Sequence, residues 1–344
     1  MMETYWAEDA IQHAPVYALA ECAALSTKCF DKEDLADIAA LSEGITERFR
    51  AALFVCTEDQ LAFLRCVAAM STDKKSFEEM PQGGFYPFYF NGFVYLFSWE
   101  RQDFLVLPNE LAELYNQVSS ASDFTDKSKR NQALCHYANA LLGLYGAYEI
   151  DWLVTVWNQH QREKITVKKA REVLSDLAYF HSDFYFEDDF VVHDCLFSDD
   201  FDALLEKVAG MDYYMPTKRV IASYDDSEHY ERIPGANEMN TFLAGLITDA
   251  IALENLQFEI AMSCERLEPP AYVRAFLAHA GFPLDDVEAV ATFERLYQNL
   301  RDNTRIWELR GLTPYQFENE TGKRLKRFAL PVAEKKKKSK KKTS

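Results

Sequence analysis

The sequence predicts a mainly α fold with two small β-hairpins: tandem winged-helix-like units, then a helical C-terminal domain and a disordered basic tail. Three observations carry this. Apolar residues recur at 3-and-4 spacing over most of the chain. Only two stretches, around Phe93–Leu107 and Phe184–His193, switch to short β-rich runs about polar turns. Gly (12) and Pro (11) are scarce for 344 residues, which disfavours Gly-rich nucleotide loops, propellers and Pro-rich scaffolds.

The elements follow in order. Residues 1–30 read as one or two short helices, with Tyr17, Leu19, Ala20, Ala23 and Ala24 on an apolar face. Asp31 stands as an N-cap before an acidic first turn, and Leu35, Ile38, Ala39 and Leu41 continue that helix. Thr57 is placed to cap the next, with Leu61, Leu64, Val67 and Ala68 facing the core. From Gly83 the period changes: Gly84–Phe90 leads into Phe93–Phe97, a polar break covers Ser98–Asp103, and Phe104–Pro108 closes a hairpin. Helix resumes through Glu110, Leu111, Leu114 and Tyr115. This is the element order of a winged-helix module with a closing helix. Residues 119–130 are polar and loop-like, which marks a boundary.

The order then repeats. Helices are expected at Leu134–Leu144 and Glu149–Gln159. A third, capped by Thr166, has Val167, Ala170, Val173, Leu174, Leu177 and Ala178 on its apolar face. A second hairpin turns at Glu187-Asp188-Asp189. The repetition is one of element order, not of residue identity. The expected organisation is therefore 1–118 for the N-terminal helices and first winged-helix-like unit and 131–195 for the second. A connector at 199–235, a helical domain at 236–321 and a basic tail at 322–344 follow. Helices of the C-terminal domain are read at Glu238–Asp249 (capped by Asn237), Leu253–Met262, Pro270–Ala280 and Leu284–Leu300.

Charge is the main asymmetry. The whole chain carries −18, but residues 322–344 hold eleven Lys/Arg against the single acid Glu334, which leaves −28 on residues 1–321. An acidic body repels phosphate backbones at long range, and a lysine-rich tail attracts polyanions in a salt-dependent way. The seven cysteines are odd in number and none stand at C-x-x-C spacing. They read as reduced thiols, with no zinc ribbon or finger. The N-terminus lacks a basic segment followed by an apolar one, and no apolar run reaches the ~18–20 residues of a membrane span. A cytoplasmic protein without membrane insertion is expected.

The string Asn303-Thr304-Arg305-Ile306-Trp307-Glu308-Leu309-Arg310-Gly311-Leu312-Thr313-Pro314 resembles the closing motif of a bacterial family best known from Firmicutes. Many of its members end in a SEC-C zinc-binding tail. The hairpin at Phe93–Pro108 followed by Asn109-Glu110-Leu111 is similar to another segment of that family. The resemblance implies winged-helix-like repeats in a cytoplasmic protein, and SEC-C tails are associated with ribosomes, nucleic acids and secretion partners. Two departures limit it. Leu312 stands where the family has His, and the tail lacks the Cys motif, so the zinc is not carried over.

Three sets of candidate residues follow. The tail, Lys323, Arg324, Lys326, Arg327, Lys335, Lys336, Lys337, Lys338, Lys340, Lys341 and Lys342, is read as an arm for RNA, the ribosome or another polyanion. On the helix at 166–180, Lys168, Lys169 and Arg171 would face DNA if it acted as a recognition helix. Against that reading, residues 131–195 carry −5 and residues 31–118 carry −8, and the second wing tip is Glu187-Asp188-Asp189. In the family motif, Trp307 is expected to bury against the last helix and Gly311 to take a left-handed turn. Thr313-Pro314 would then start a final helix.

His181, Asp183, Asp189, His193 and Asp194 have no recognised metal-ligand spacing. The aromatic cluster from Phe85 to Trp99 is expected to be core rather than a base-stacking platform. No nucleotide-loop, hydrolase-elbow or zinc-protease motif occurs. The expectation is a non-enzymatic interaction or adaptor protein with no cofactor or metal, contacting a polyanion and an unknown protein partner. A winged-helix transcriptional regulator is the first alternative, and an enzyme with an unrecognised site the second.

Overall fold

A computed structural model describes residues 10–26, 30–70, 85–180, 184–224, 230–284, 286–323 and 325. The protein is mainly helical, with one antiparallel sheet of two strands and one of three. The described residues divide into two compact units. Met1–Ala138 with Ile150–Tyr185 form the first, and Asn139–Glu149 with Phe186–Ser344 the second.

The first unit opens with α1 (Leu19–Leu25), whose Leu19, Cys22 and Ala23 are buried. Asp31 accepts from the backbone N–H groups of Glu33 and Asp34, as an N-cap would, but the helix it heads stops after one 3-10 turn. Asp37 then caps the long helix α2 (Ile38–Ala52) by accepting from Ala40 N at 3.0 Å. α3 (Glu58–Met70) starts in a reciprocal capping box. Thr57 Oγ1 accepts from Gln60 N, and Gln60 Oε1 accepts from Thr57 N at 2.7 Å.

Phe85–Phe90, expected to lead into a strand, is instead helix α4. Its aromatics repeat with period three to four, so Phe85, Phe88 and Tyr89 bury together. Asn91 Nδ2 donates to Pro87 O, and Gly92 at φ +68° turns the chain out of the helix. Strands β1 (Tyr95–Trp99) and β2 (Gln102–Val106) follow, paired Tyr95↔Val106 through Trp99↔Gln102. Both strands extend into the expected polar break, leaving a two-residue turn at Glu100-Arg101, where φ is +51° and +64°. Ile11 adds a parallel bridge to Phe97. The expected aromatic core is present: Phe49 meets Phe93 edge-on at 5.1 Å, Phe63 stacks on Phe88 at 5.6 Å, and Phe88 reaches Phe180 at 5.1 Å.

α5 (Asn109–Ser119) buries Leu111, Leu114, Tyr115 and Val118. Residues 124–130, read from sequence as loop, are the first turns of α6 (Phe124–Tyr145). They are polar yet rich in helix formers, and Ser128 buries on the inner face. Gly146 at φ +69° ends α6, and the chain enters β3 (Ala147–Glu149), a strand too short to leave a periodic signal. α7 (Ile150–His160) and α8 (Val167–Phe180) follow. Thr166 caps α8 as expected, accepting from Lys169 N at 3.2 Å. The second expected hairpin forms from β4 (Phe184–Glu187) and β5 (Phe190–His193), and β3 joins it in the order β3-β5-β4.

In the second unit the remaining helices are α9 (Ser198–Val208), α10 (Lys218–Ser223), α11 (Ala236–Ala244), α12 (Ala250–Glu265), α13 (Pro270–His279), α14 (Val287–Asn303) and α15 (Pro314–Thr321). Asn237 does not cap α11. The helix begins two residues before the expected Glu238, with Gly235 in the left-handed region as its N-cap, and ends at Ala244 rather than Asp249. The core here gathers Met239 and Leu243 of α11, Leu256, Ile260 and Cys264 of α12, Val273 and Leu277 of α13, and Phe293, Leu296, Tyr297 and Leu300 of α14. Full burial of each such aliphatic or aromatic side chain contributes roughly 1.5–3 kcal/mol. Among the described residues, no helix is long and apolar enough to cross a membrane.

Candidate functional site

The string at 303–314 holds much of the second unit's polar chemistry. α14 ends at Asn303, Thr304 is its C-cap, and Thr304 Oγ1 donates back to Leu300 O at 2.9 Å. Trp307 is buried, as expected, but it seats on the end of α6 rather than on the last helix. Its indole N–H donates to Gly143 O at 2.9 Å, and its ring covers Gly146, where a Cβ would stand 2.5 Å away. The expected left-handed turn is present, with Arg310 at φ +50° and Gly311 at +81°. Thr313 and Pro314 start α15 as expected, through a complete capping box with Gln316.

The arginines of the string are committed to structure. Arg305 donates to Gly311 O at 2.7 Å and lies 3.7 Å over the Tyr214 ring. Arg310 donates to the Tyr213 hydroxyl and stacks 4.1 Å over that ring, while Tyr213 donates to the Glu149 carboxylate. Burial, then the bond to Glu149, push the Tyr213 hydroxyl well above its usual range. Tyr145 completes the arrangement by donating to Tyr214 O at 2.7 Å.

Beside this lock lies a cavity of about 560 Å³, inside the ~300–1,000 Å³ range of small-molecule sites. α10 contributes Arg219 and Val220, its C-cap contributes Tyr224, and the turn after residue 230 contributes Arg232, Ile233 and Pro234. The last residue of α12, Glu265, and the run Asn303-Thr304-Arg305 complete the lining. Glu265 is only 8% exposed, and among the described residues neither a hydrogen bond nor an ion pair reaches its carboxyl. Desolvation raises its pKa to about 8 against a partial opposing pull from Arg266.

Sequence reasoning found Asn303, Thr304 and Arg305 but missed Glu265, Tyr224 and the cavity. A Glu-Arg pair at a helix end reads as solvated charge, whereas Glu265 is buried in the fold.

The other candidates are placed as follows. On α8, Lys168 and Lys169 are exposed and Arg171 is half-buried, and Lys169 pairs with Glu172 at 3.5 Å. Of the tail, Lys323 is described and exposed. Arg324, Lys326, Arg327, Lys335, Lys336, Lys337, Lys338, Lys340, Lys341 and Lys342 lie outside the described residues. His181 and Asp183 do too, while His193 Nδ1 stands 2.8 Å from Asp194. Among the described residues, no group of three His, Cys, Asp or Glu is placed to hold a metal ion.

Comparison of the chain with protein-family models, with curated proteins and with solved structures finds no match.

Proposed function

We propose that this chain is a non-enzymatic interaction protein: an acidic helical platform that uses its lysine-rich segment to contact RNA, the ribosome or another polyanion. The observation that carries the reading is the separation of charge, −28 on residues 1–321 against +10 on residues 322–344. Point charges on a lysine run release condensed counterions from any polyanion, so affinity comes without sequence preference. The test is retention of the full chain on immobilised RNA at ~0.15 M salt, compared with a chain lacking residues 323–344. Loss of retention on deletion is expected, and undiminished retention rejects the reading.

A winged-helix-like regulator is the second reading. It is favoured by the order α6-β3-α7-α8-β4-β5, a helix, short strand, two helices and a hairpin with β3 beside β5. In that case α8 enters the DNA groove. Charge reversal at Lys168, Lys169 and Arg171 would then abolish DNA binding, while tail deletion would only weaken it. The Glu187-Asp188-Asp189 wing opposes this reading, because each carboxylate would approach phosphate.

A further inference from the structure

A smaller cavity, of about 320 Å³, lies within the first unit where three helices meet. α3 lines it with Arg65, α5 with Tyr115 and Ser119, and the first turns of α6 with Thr125 and Lys129. Tyr115 and Ser119 are four residues apart, as are Thr125 and Lys129, so each pair shares one face of its helix.

The polar groups here are donors without acceptors. Tyr115 is only 7% exposed, yet among the described residues no hydrogen bond engages its hydroxyl. A buried hydroxyl in that state costs about 1–3 kcal/mol unless a group in the cavity bonds it. Burial raises Tyr115 above the usual tyrosine range, so the hydroxyl keeps its proton, and the Arg65 guanidinium acts on it in the opposite sense. Arg65 donates its Nε–H to Leu61 O at 3.3 Å, and among the described residues its other N–H groups have no partner. The exposed Lys129 ammonium and the hydroxyls of Ser119 and Thr125 have none either.

Backbone adds to this. α6 is 22 residues long, and its N-terminus carries partial positive charge. Asp123, just before it, pairs with Lys127 at 2.5 Å, and the backbone N–H groups of Thr125 and Asp126 find no acceptor among the described residues. The opposing charge is small. The α5 carbonyls of Asn116 and Val118 are taken by the N–H groups of Ser120 and Ala121, and the carboxylate on the lining is that of Glu58.

Two unpaired cations, three hydroxyls and an open helix start thus converge on one space, in a body whose charge is −28. A carboxylate offers two oxygens in a plane. A phosphate group offers at least three, spread in space, which suits donors arriving from three helices and from a helix N-terminus. We infer that this cavity binds a phosphate group, as the free ion or on a small monoester, with Arg65 and Lys129 supplying the charge and the Tyr115 hydroxyl and the α6 N-terminus the directed bonds.

The experiment titrates the full chain calorimetrically with inorganic phosphate and, separately, with glycerol 2-phosphate, at neutral pH in ~0.15 M salt. Saturable binding with a Kd of about 1 mM or tighter is expected. A chain carrying both Arg65→Ala and Lys129→Ala should lose it. Tyr115→Phe keeps the ring and removes only the hydroxyl, so binding should weaken about tenfold while the unliganded melting temperature does not fall. Tighter binding of the monoester identifies an organic phosphate as the occupant, and equal binding identifies the free ion; both support the site. If neither compound binds at about 10 mM, or if the double variant or Tyr115→Phe binds as tightly as the parent, the inference is overturned. Every chain keeps residues 322–344, so phosphate taken up by the lysine-rich segment is common to all, and the RNA-retention test succeeds or fails separately.

Discussion

At the residue scale, Glu265 sets a stability effect whose sign can be worked out. Its ordinary pKa is 4.5 and the folded value is about 8, so between those limits the folded chain holds a proton that the unfolded chain has released. Stability from this group therefore declines as pH rises from about 4.5 to 8 and levels off above. Glu265→Gln removes the loss. The variant should match the parent near pH 4 and exceed it by a few kcal/mol near pH 9, at roughly 1.4 kcal/mol per pH unit traversed. Urea midpoints across that range check this, and a pH-independent difference would contradict it. Gly146 is a second decisive position. Its φ of +69° and the Trp307 ring 2.5 Å from any Cβ leave no room for a side chain. Gly146→Ala should cost about 2–4 kcal/mol by the same measurement. Trp307 itself was legible as a buried anchor, because a lone Trp before a turn signal has few other uses. Its seat on Gly143 and Gly146 was not, because the partners lie some 160 positions away in the chain.

At the element scale, local chemistry was readable and local breaks were less so. Thr57, Thr166 and Thr313 all cap the helices that their sequence position announces, because a capping hydroxyl acts within three residues. Asp31 and Asp37 both qualify as caps, and only tertiary packing decides that α2 starts at the second. Aromatic residues misled at Phe85–Phe90, where high β propensity yields to a helical period. The turn between β1 and β2 invites a test. Glu100 and Arg101 both occupy positive φ, a conformation that costs most L residues roughly 1–2 kcal/mol. A primed two-residue hairpin turn favours Asn-Gly. The pair Glu100→Asn and Arg101→Gly should raise the stability of the first unit by about 1 kcal/mol, read as a shifted denaturation midpoint. An unchanged or lowered midpoint would show that the turn's charged side chains contribute what their backbone costs.

At the scale of the whole molecule, fold class and charge separation were both visible in composition and periodicity. The helical content follows from spacing repeated over hundreds of residues, a signal that no single misread element erases. On the proposed polyanion-binding reading, the charge separation also fixes how RNA retention should respond to salt. Its logarithm should fall linearly with the logarithm of salt concentration, and more steeply for the intact chain than for one shortened at residue 322. Equal slopes would assign the contact to the body instead. What composition could not reveal is the route of the backbone. It passes from the first unit to the second after residue 138, returns at 150 and leaves again after 185. A single scission therefore frees neither unit entire. A fragment stopping at 138 is deprived of α7 and α8, and one starting at 186 is deprived of the glycines on which Trp307 rests. Protease nicking or premature termination of synthesis would thus leave two incomplete remnants rather than one working half.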